Sequence, residues 1–287
     1  MYNLAELYYP ITARPDSAGE LMPCKGLQPY IRCYWGSMGE CGAAPGEQSA
    51  MPDKLSGQQP AREIIIPDTC MDIILEWDTD TGASGGVFCG INDKPFQVDG
   101  AGPSASRLRF AIRFHFWAVH LFADEPLNAV LNYHGGVERY FSFFRRELEE
   151  QLASAGSMAE RIAVAERVLL RRLERARASH SGLMNAVHDI LRAKGVIAVS
   201  SLGSSSGLSS RQLERLFRET TGVSPKQVAD LVRFQNVWRN LYRPSPQIRD
   251  VQDLVYAYGY SHQSHFNNSF KRFAGQTPRE ALAYARR

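Results

Sequence analysis

The sequence predicts an α+β chain. Residues 1–135 form a mostly β domain, 136–180 a helical hairpin, and 181–287 an all-α domain of two helix-turn-helix units. Three observations predict it. Short apolar runs bounded by turn formers fill the first part. Segments rich in Ala, Leu, Glu and Arg, with helical period, follow. Near the end, one block of residues returns 53 positions later. With 287 residues, 44% of them hydrophobic, the chain is long enough for two domains with buried cores.

The strands come first. Runs 63–66 and 71–77 are apolar and separated by Pro67 and Asp68, and 78–86 (DTDTGASGG) reads as a hairpin connection. Segment 107–119 alternates. Leu108, Phe110, Ile112, Phe114 and Phe116 fall on one face, and Arg107, Arg109, Arg113 and His115 on the other. Stretch 42–60 is rich in Gly, Pro, Gln and Ser and is expected to be a loop.

Two helices are expected at 137–152 and 158–178. In the second, Ile162, Ala165, Val168, Leu169 and Leu173 share a stripe, and Ser157 with Glu160 makes a capping box. The apolar seam either docks on the β domain or forms a dimer contact. A hinge near residues 180–182 would divide the domains.

The repeat pairs Phe217 with Phe270, Gly222 with Gly275 and Pro225 with Pro278, each 53 residues apart, whereas Gly207 and Gly259 are 52 apart. Each unit predicts a short helix (199–206 or 250–258) and a glycine turn of positive φ at Gly207 or Gly259. A second helix follows, capped by Ser209 or Ser261. A long helix, 225–242, links the units, with Pro225 in its first turn and Val228, Leu231, Val232, Gln235, Trp238, Leu241 and Tyr242 on its inner face. Such a spacer could set two helices about 34 Å apart, one turn of duplex DNA.

On the second helix of unit one, Leu213, Leu216 and Phe217 face inward, while Ser209, Arg211, Glu214, Arg215 and Arg218 are the candidate DNA-binding residues. In unit two Phe266 and Phe270 face inward, while Gln263, Ser264, His265, Asn267, Asn268, Lys271 and Arg272 are the candidates. Arg, Gln and Asn match the donor and acceptor pattern of base edges in the major groove, and Lys and Arg suit phosphates. Glu214 has a second reading, in which it pairs with a neighbouring Arg and touches no base. Charge agrees with a nucleic-acid partner: residues 181–287 carry 15 Lys/Arg against 7 Asp/Glu, and 1–180 carry 18 against 23. A basic solvated surface would give the same balance.

Residues 183–287 resemble the DNA-binding domain of the AraC/XylS family of bacterial transcription regulators. The resemblance rests on Leu202, Ser209, Arg211, Leu213, Arg215 and Phe217, on Gly222, Ser224, Pro225 and Arg233, and on Gly259, Tyr260, Phe266, Phe270, Lys271, Arg272, Gly275, Thr277 and Pro278. It implies promoter DNA as partner, frequent contact with RNA polymerase, and base reading by Arg211, Glu214 and Arg215 in unit one and by Gln263, Ser264, His265 and Asn268 in unit two. Gly203 and Val255 depart from the small Ala usual in the family.

The first part is similar to a domain that precedes such DNA-binding domains, through 27–35, 66–73 and 90–96. The resemblance implies a cupin-like β barrel that senses an unidentified small molecule, with Trp35, Asp72, Trp77, Phe114 and Phe116 as candidate ligand-binding residues. No cofactor and no metal is expected, since His115 and His120, five apart on an expected strand, would face opposite ways. Five cysteines, at 24, 33, 41, 70 and 89, lack zinc spacing and read as reduced thiols or, alternatively, as a sensor. Competing readings are a cupin-like enzyme, for which no catalytic motif is present, and a cysteine-based alkylation sensor. The expectation is therefore a cytoplasmic regulator that is not an enzyme, with a homodimer in view and no membrane partner, since no run of about 18 apolar residues occurs.

Overall fold

Apolar side chains at every second position give the N-terminal part its sheet, and the computed structural model shows how that sheet is used. It describes residues 3–15, 19–37, 63–78, 80–98, 107–152, 154–176 and 180–286; the loop expected at 42–60 and Cys41 lie outside these. A short helix α1 (Leu4–Leu7) precedes strands β1 (Ile31–Ser37), β2 (Glu63–Ile65), β3 (Met71–Asp78), β4 (Ser84–Cys89), β5 (Phe96–Val98), β6 (Arg107–Phe114) and β7 (His134–Gly136). Five pair antiparallel in the order β1-β6-β3-β4-β7, and β2 pairs with β5 in a separate ribbon. Where a cupin-like barrel is expected, the described strands thus form a sheet with β1 and β7 at its ends, plus a ribbon.

One face of the sheet carries Tyr34, Ile73, Leu75, Phe88, Phe110, Ile112 and Phe114, all 0–1% exposed. Helices α2 (Glu138–Leu152) and α3 (Met158–Arg175) cover it. Phe88 meets Phe141 at 4.8 Å, and Phe122 links Phe114 (5.2 Å) to Phe144 (6.4 Å). A buried aromatic ring of this kind contributes roughly 1.5–3 kcal/mol. Of the two expected uses of the hairpin seam, docking is the one seen: Phe141, Phe144, Leu148, Val168 and Leu169 are all fully buried. Ser157 caps α3 by accepting from the Glu160 amide, but Glu160 returns to Gly156 instead of to the cap.

The other face holds Cys33, Arg113, Asp72 and Cys89 in one row across β1, β6, β3 and β4. Strand β6 ends at Phe114, so Phe116, His115 and His120 lie beyond it, the last in a 3-10 turn, Val119–Leu121. His115 is buried and stacks on Trp117 at 4.4 Å, since aromatic packing takes over where the sheet pairing stops.

The C-terminal part is helical: α4 (Ser181–Arg192), α5 (Leu202–Ser206), α6 (Ser210–Thr221), α7 (Pro225–Tyr242), α8 (Val251–Ala257), α9 (Gln263–Ala274) and α10 (Pro278–Ala285). The Ser-rich segment before Gly207 starts as a 3-10 turn, Val199–Ser201, in keeping with its poor helix formers. Ser224-Pro225 and Thr277-Pro278 each open a helix with a capping box and a proline in the first turn.

The two parts meet over α7. Gln235 accepts from the Ile11 amide (2.8 Å) and donates to the Ile11 and Pro67 carbonyls (3.2 and 2.7 Å), and Trp238 donates to Thr12 (2.9 Å). The Leu127 amide donates to Glu219 O in α6 (2.9 Å), and the Ile64 amide to the Tyr284 hydroxyl (3.0 Å).

Candidate nucleic-acid interface

The turn in each unit is made by a glycine in the left-handed region, φ +67° at Gly207 and +59° at Gly259, which a side chain would strain. In unit one Ser209 then caps α6. Its Oγ accepts from the Gln212 amide (3.3 Å) and the Gln212 side chain accepts from the Ser209 amide (2.9 Å), so Gln212 is spent on the cap. In unit two the cap is His262 and not Ser261. The His262 Nδ1 accepts from the His265 amide (3.1 Å), and the Ser261 amide donates to His265 Nδ1 (3.4 Å). Histidine is a rare cap, so the motif of small polar residues pointed one position too early.

Leu213 and Phe217 bury one face of α6, and Phe266, Phe270 and Phe273 bury that of α9. Phe234 of α7 receives Phe270 and Phe273 at 5.5 and 5.1 Å. The opposite faces are outward. Ser209, Arg211, Arg215 and Arg218 are exposed on α6, with Glu214 half-buried. On α9, Gln263, Ser264, His265, Asn268, Lys271 and Arg272 are exposed and Asn267 half-buried. Glu214 accepts from Arg218 at 2.8–2.9 Å, and Arg215 lies 3.8 Å from Glu219. Of the three α6 arginines, Arg218 is therefore held by a neighbouring carboxylate and Arg215 only lies within ion-pair range of one, whereas α9 offers mainly neutral amides and rings.

The five candidate ligand residues divide between two places. The Trp35 Nε1 donates to Asp72 (3.0 Å), which also accepts from Arg113 (2.9 and 3.3 Å). Phe114 and Phe116 are core residues, and Trp77 lies under the Arg161 guanidinium (5.2 Å). They do not share a site because Asp72 and Trp77 are five apart on β3, an odd step that sends them to opposite faces. Arg113 also reaches Asp68 (3.3 Å). Burial opposes its charge, but Asp72 and Asp68 outweigh burial and hold its pKa above the ordinary value.

Burial pushes the thiols of Cys33 and Cys89 up to about 12, and that of Cys70 up as well, so all three are protonated at neutral pH and poor nucleophiles. Among the described residues no cluster of His, Cys, Asp and Glu could hold a metal. Nor is any helix among them long and apolar enough to cross a membrane.

Sequence reasoning missed the domain contact through Gln235 and Trp238. The signal was a glutamine on an otherwise apolar helix face, since a buried amide requires partners.

Residues 202–284 match the family described as Helix-turn-helix domain, and residues 19–135 match a domain of unknown function, DUF6597. The chain is 39% identical over 72 residues to the HTH-type transcriptional regulator GlxA of Rhizobium meliloti (strain 1021), covering 25% of this chain and 21% of that protein. It is 24% identical over 127 residues to the probable thc operon regulatory protein of Rhodococcus erythropolis, covering 44% and 38%. The matches thus span less than two fifths of either relative. Among solved structures, ToxT from Vibrio cholerae is similar at 11% identity with a TM-score of 0.41, over 78% of this chain and 96% of that one.

Proposed function

We propose, for a chain whose C-terminal region is an AraC-type helix-turn-helix domain, that it is a sequence-specific regulator of transcription. The helices α6 and α9 enter successive major-groove segments of one promoter duplex. The observation that carries this is the pair of equivalent helices, each following a left-handed glycine turn and each presenting an exposed polar face. Arg211, with no carboxylate holding it in the described structure, is the strongest base reader of unit one, and Gln263 and Asn268 those of unit two. By side-chain chemistry the first favours guanine and the others adenine. Lys271, Arg272 and Arg218 contact phosphates, and Glu214 serves as the tether of Arg218.

In this reading residues 1–135 are the sensing domain, 136–180 the hairpin and 181–287 the DNA-binding domain, and the protein works in the cytoplasm as a regulator, not a catalyst. A small-molecule effector would act at the sheet face of Trp35 and Asp72. Contacts run from there to the DNA-binding side: Asp72 to Arg113, Arg113 to Asp68, and the neighbouring Pro67 carbonyl to Gln235 of α7. RNA polymerase is a further partner. A second copy of the chain would use the outer face of the hairpin, where Phe143 is 62% exposed.

The test is enrichment of duplexes from a randomised library by the full chain, followed by mobility shifts. Arg211→Ala is expected to weaken the enriched site by about 1–3 kcal/mol and random DNA far less. Equal weakening on both would mean that Arg211 reads no base.

A further inference from the structure

The regulator reading leaves open how the two reading helices are aimed, and the residue after each turn glycine differs. In unit one it is Leu208, which packs on α4: a Cβ added at Gly182 would lie 2.8 Å from Leu208 Cδ1. In unit two it is Tyr260, buried to 7% exposure. Arg233, from the middle of α7, lays its guanidinium on the Tyr260 ring, with Cζ 3.7 Å from the centroid. The Nε and Nη2 of Arg233 are buried without a hydrogen-bond partner, so on that side the negative ring face is what receives the charge. The same ring stands edge-on to His265 and to Phe266, each at 5.3 Å.

Tyr260 therefore touches the first turn of α9 at two points, and Arg233 holds Tyr260 from the linking helix. We propose that Arg233 is a positioning residue for unit two. Through Tyr260 it fixes the aim of His265 and the first turn of α9, and so the affinity for the base pairs that unit two reads. It acts through the ring face, and its Nε and Nη2 are buried. The inference rests on the regulator reading and adds to it a residue outside both reading helices.

The experiment uses the full chain and duplexes enriched by the wild type. Footprinting marks the two protected segments, and the one that Gln263→Ala weakens belongs to unit two. Arg233→Ala is expected to lower affinity for the intact duplex about five- to tenfold, and less than about twofold once the unit-two segment is scrambled. Combined with His265→Ala, its loss should be less than the product of the two single losses, because both changes disturb one contact chain. Tyr260→Leu, which gives unit two the residue of unit one, carries the same tests if Arg233→Ala does not fold. Equal loss on both duplexes, multiplicative losses, or no loss overturns the proposal while leaving the regulator reading intact. A wild-type chain that enriches no duplex overturns both.

Discussion

In unit one the reading helix is aimed by aliphatic packing and held at its C-terminal end by the N-terminal domain. In unit two it is aimed by an arginine–tyrosine stack and seated on aromatic rings of α7. Gly222, which ends α6, lies against Leu127 and Val130, so close that an added Cβ would meet Val130 Cγ2 at 2.1 Å. Gly275, which ends α9, approaches only Pro95, at 3.0 Å. Both glycines are left-handed, φ +76° and +72°, and both close the same motif. A duplicated unit thus keeps its backbone plan while its fastening diverges. Unit one answers more directly to the N-terminal domain, and unit two to the linking helix.

The largest expected effect tests the seat of unit two. Phe270 is 2% exposed and meets Phe234, Trp238 and Phe266. Phe270→Ala is expected to cost about 3–5 kcal/mol in urea unfolding. A cost under about 1 kcal/mol would break the claim that α9 hangs on that aromatic cluster.

Acid sharpens the contrast from the other side. The 3-10 turn Val119–Leu121 packs against α6 and carries His120, whose pKa is held down to about 4 by burial and then by His180; burial and Arg32 hold His115 at about 3. The unfolded chain takes up these protons below 6.5, the folded chain only near the lowered values. Stability is therefore present above 6.5 and lost as pH falls through that window, on the order of 3 kcal/mol for His120 alone. Hydrogen exchange at falling pH should loosen the C-terminal turn of α6 before that of α9. Simultaneous loosening would show that the N-terminal domain does not favour unit one.

The smallest effect concerns surface charge. Glu214→Gln releases Arg218, and since this pair is about half exposed its removal should change stability by no more than about 0.5 kcal/mol. DNA affinity should rise, with the slope of log affinity against log salt steepening by about 1 if Arg218 then meets a phosphate. An unchanged slope would mean that Glu214 does not hold Arg218 back from a phosphate.

Much of unit two is legible in the sequence because each signal is local: Gly259, the Phe266 and Phe270 stripe, and the repeat that pairs Gly275 and Pro278 with Gly222 and Pro225. Its cap is not, because His262 caps through a ring nitrogen that propensity does not anticipate. The N-terminal domain shows the opposite balance. Alternation placed Phe110, Ile112 and Phe114 on one face, and the sheet keeps them there. The candidate ligand residues divide, Trp35 with Asp72 on one face and Trp77 on the other, because pairing register, and not residue type, decides which side chains become neighbours across strands.

By itself the sequence determined whatever depends on near neighbours along the chain: helix and strand periods, turn glycines, the proline that opens the linking helix, and the repeat that points to paired reading helices. Tertiary structure alone decided that the hairpin seam is buried on the sheet, that Gln235 and Trp238 join the two parts, and that Arg233 lies on Tyr260. Those contacts link residues tens to hundreds of positions apart. Their partners are chosen by packing and by the need to satisfy buried polar groups, which no local pattern encodes.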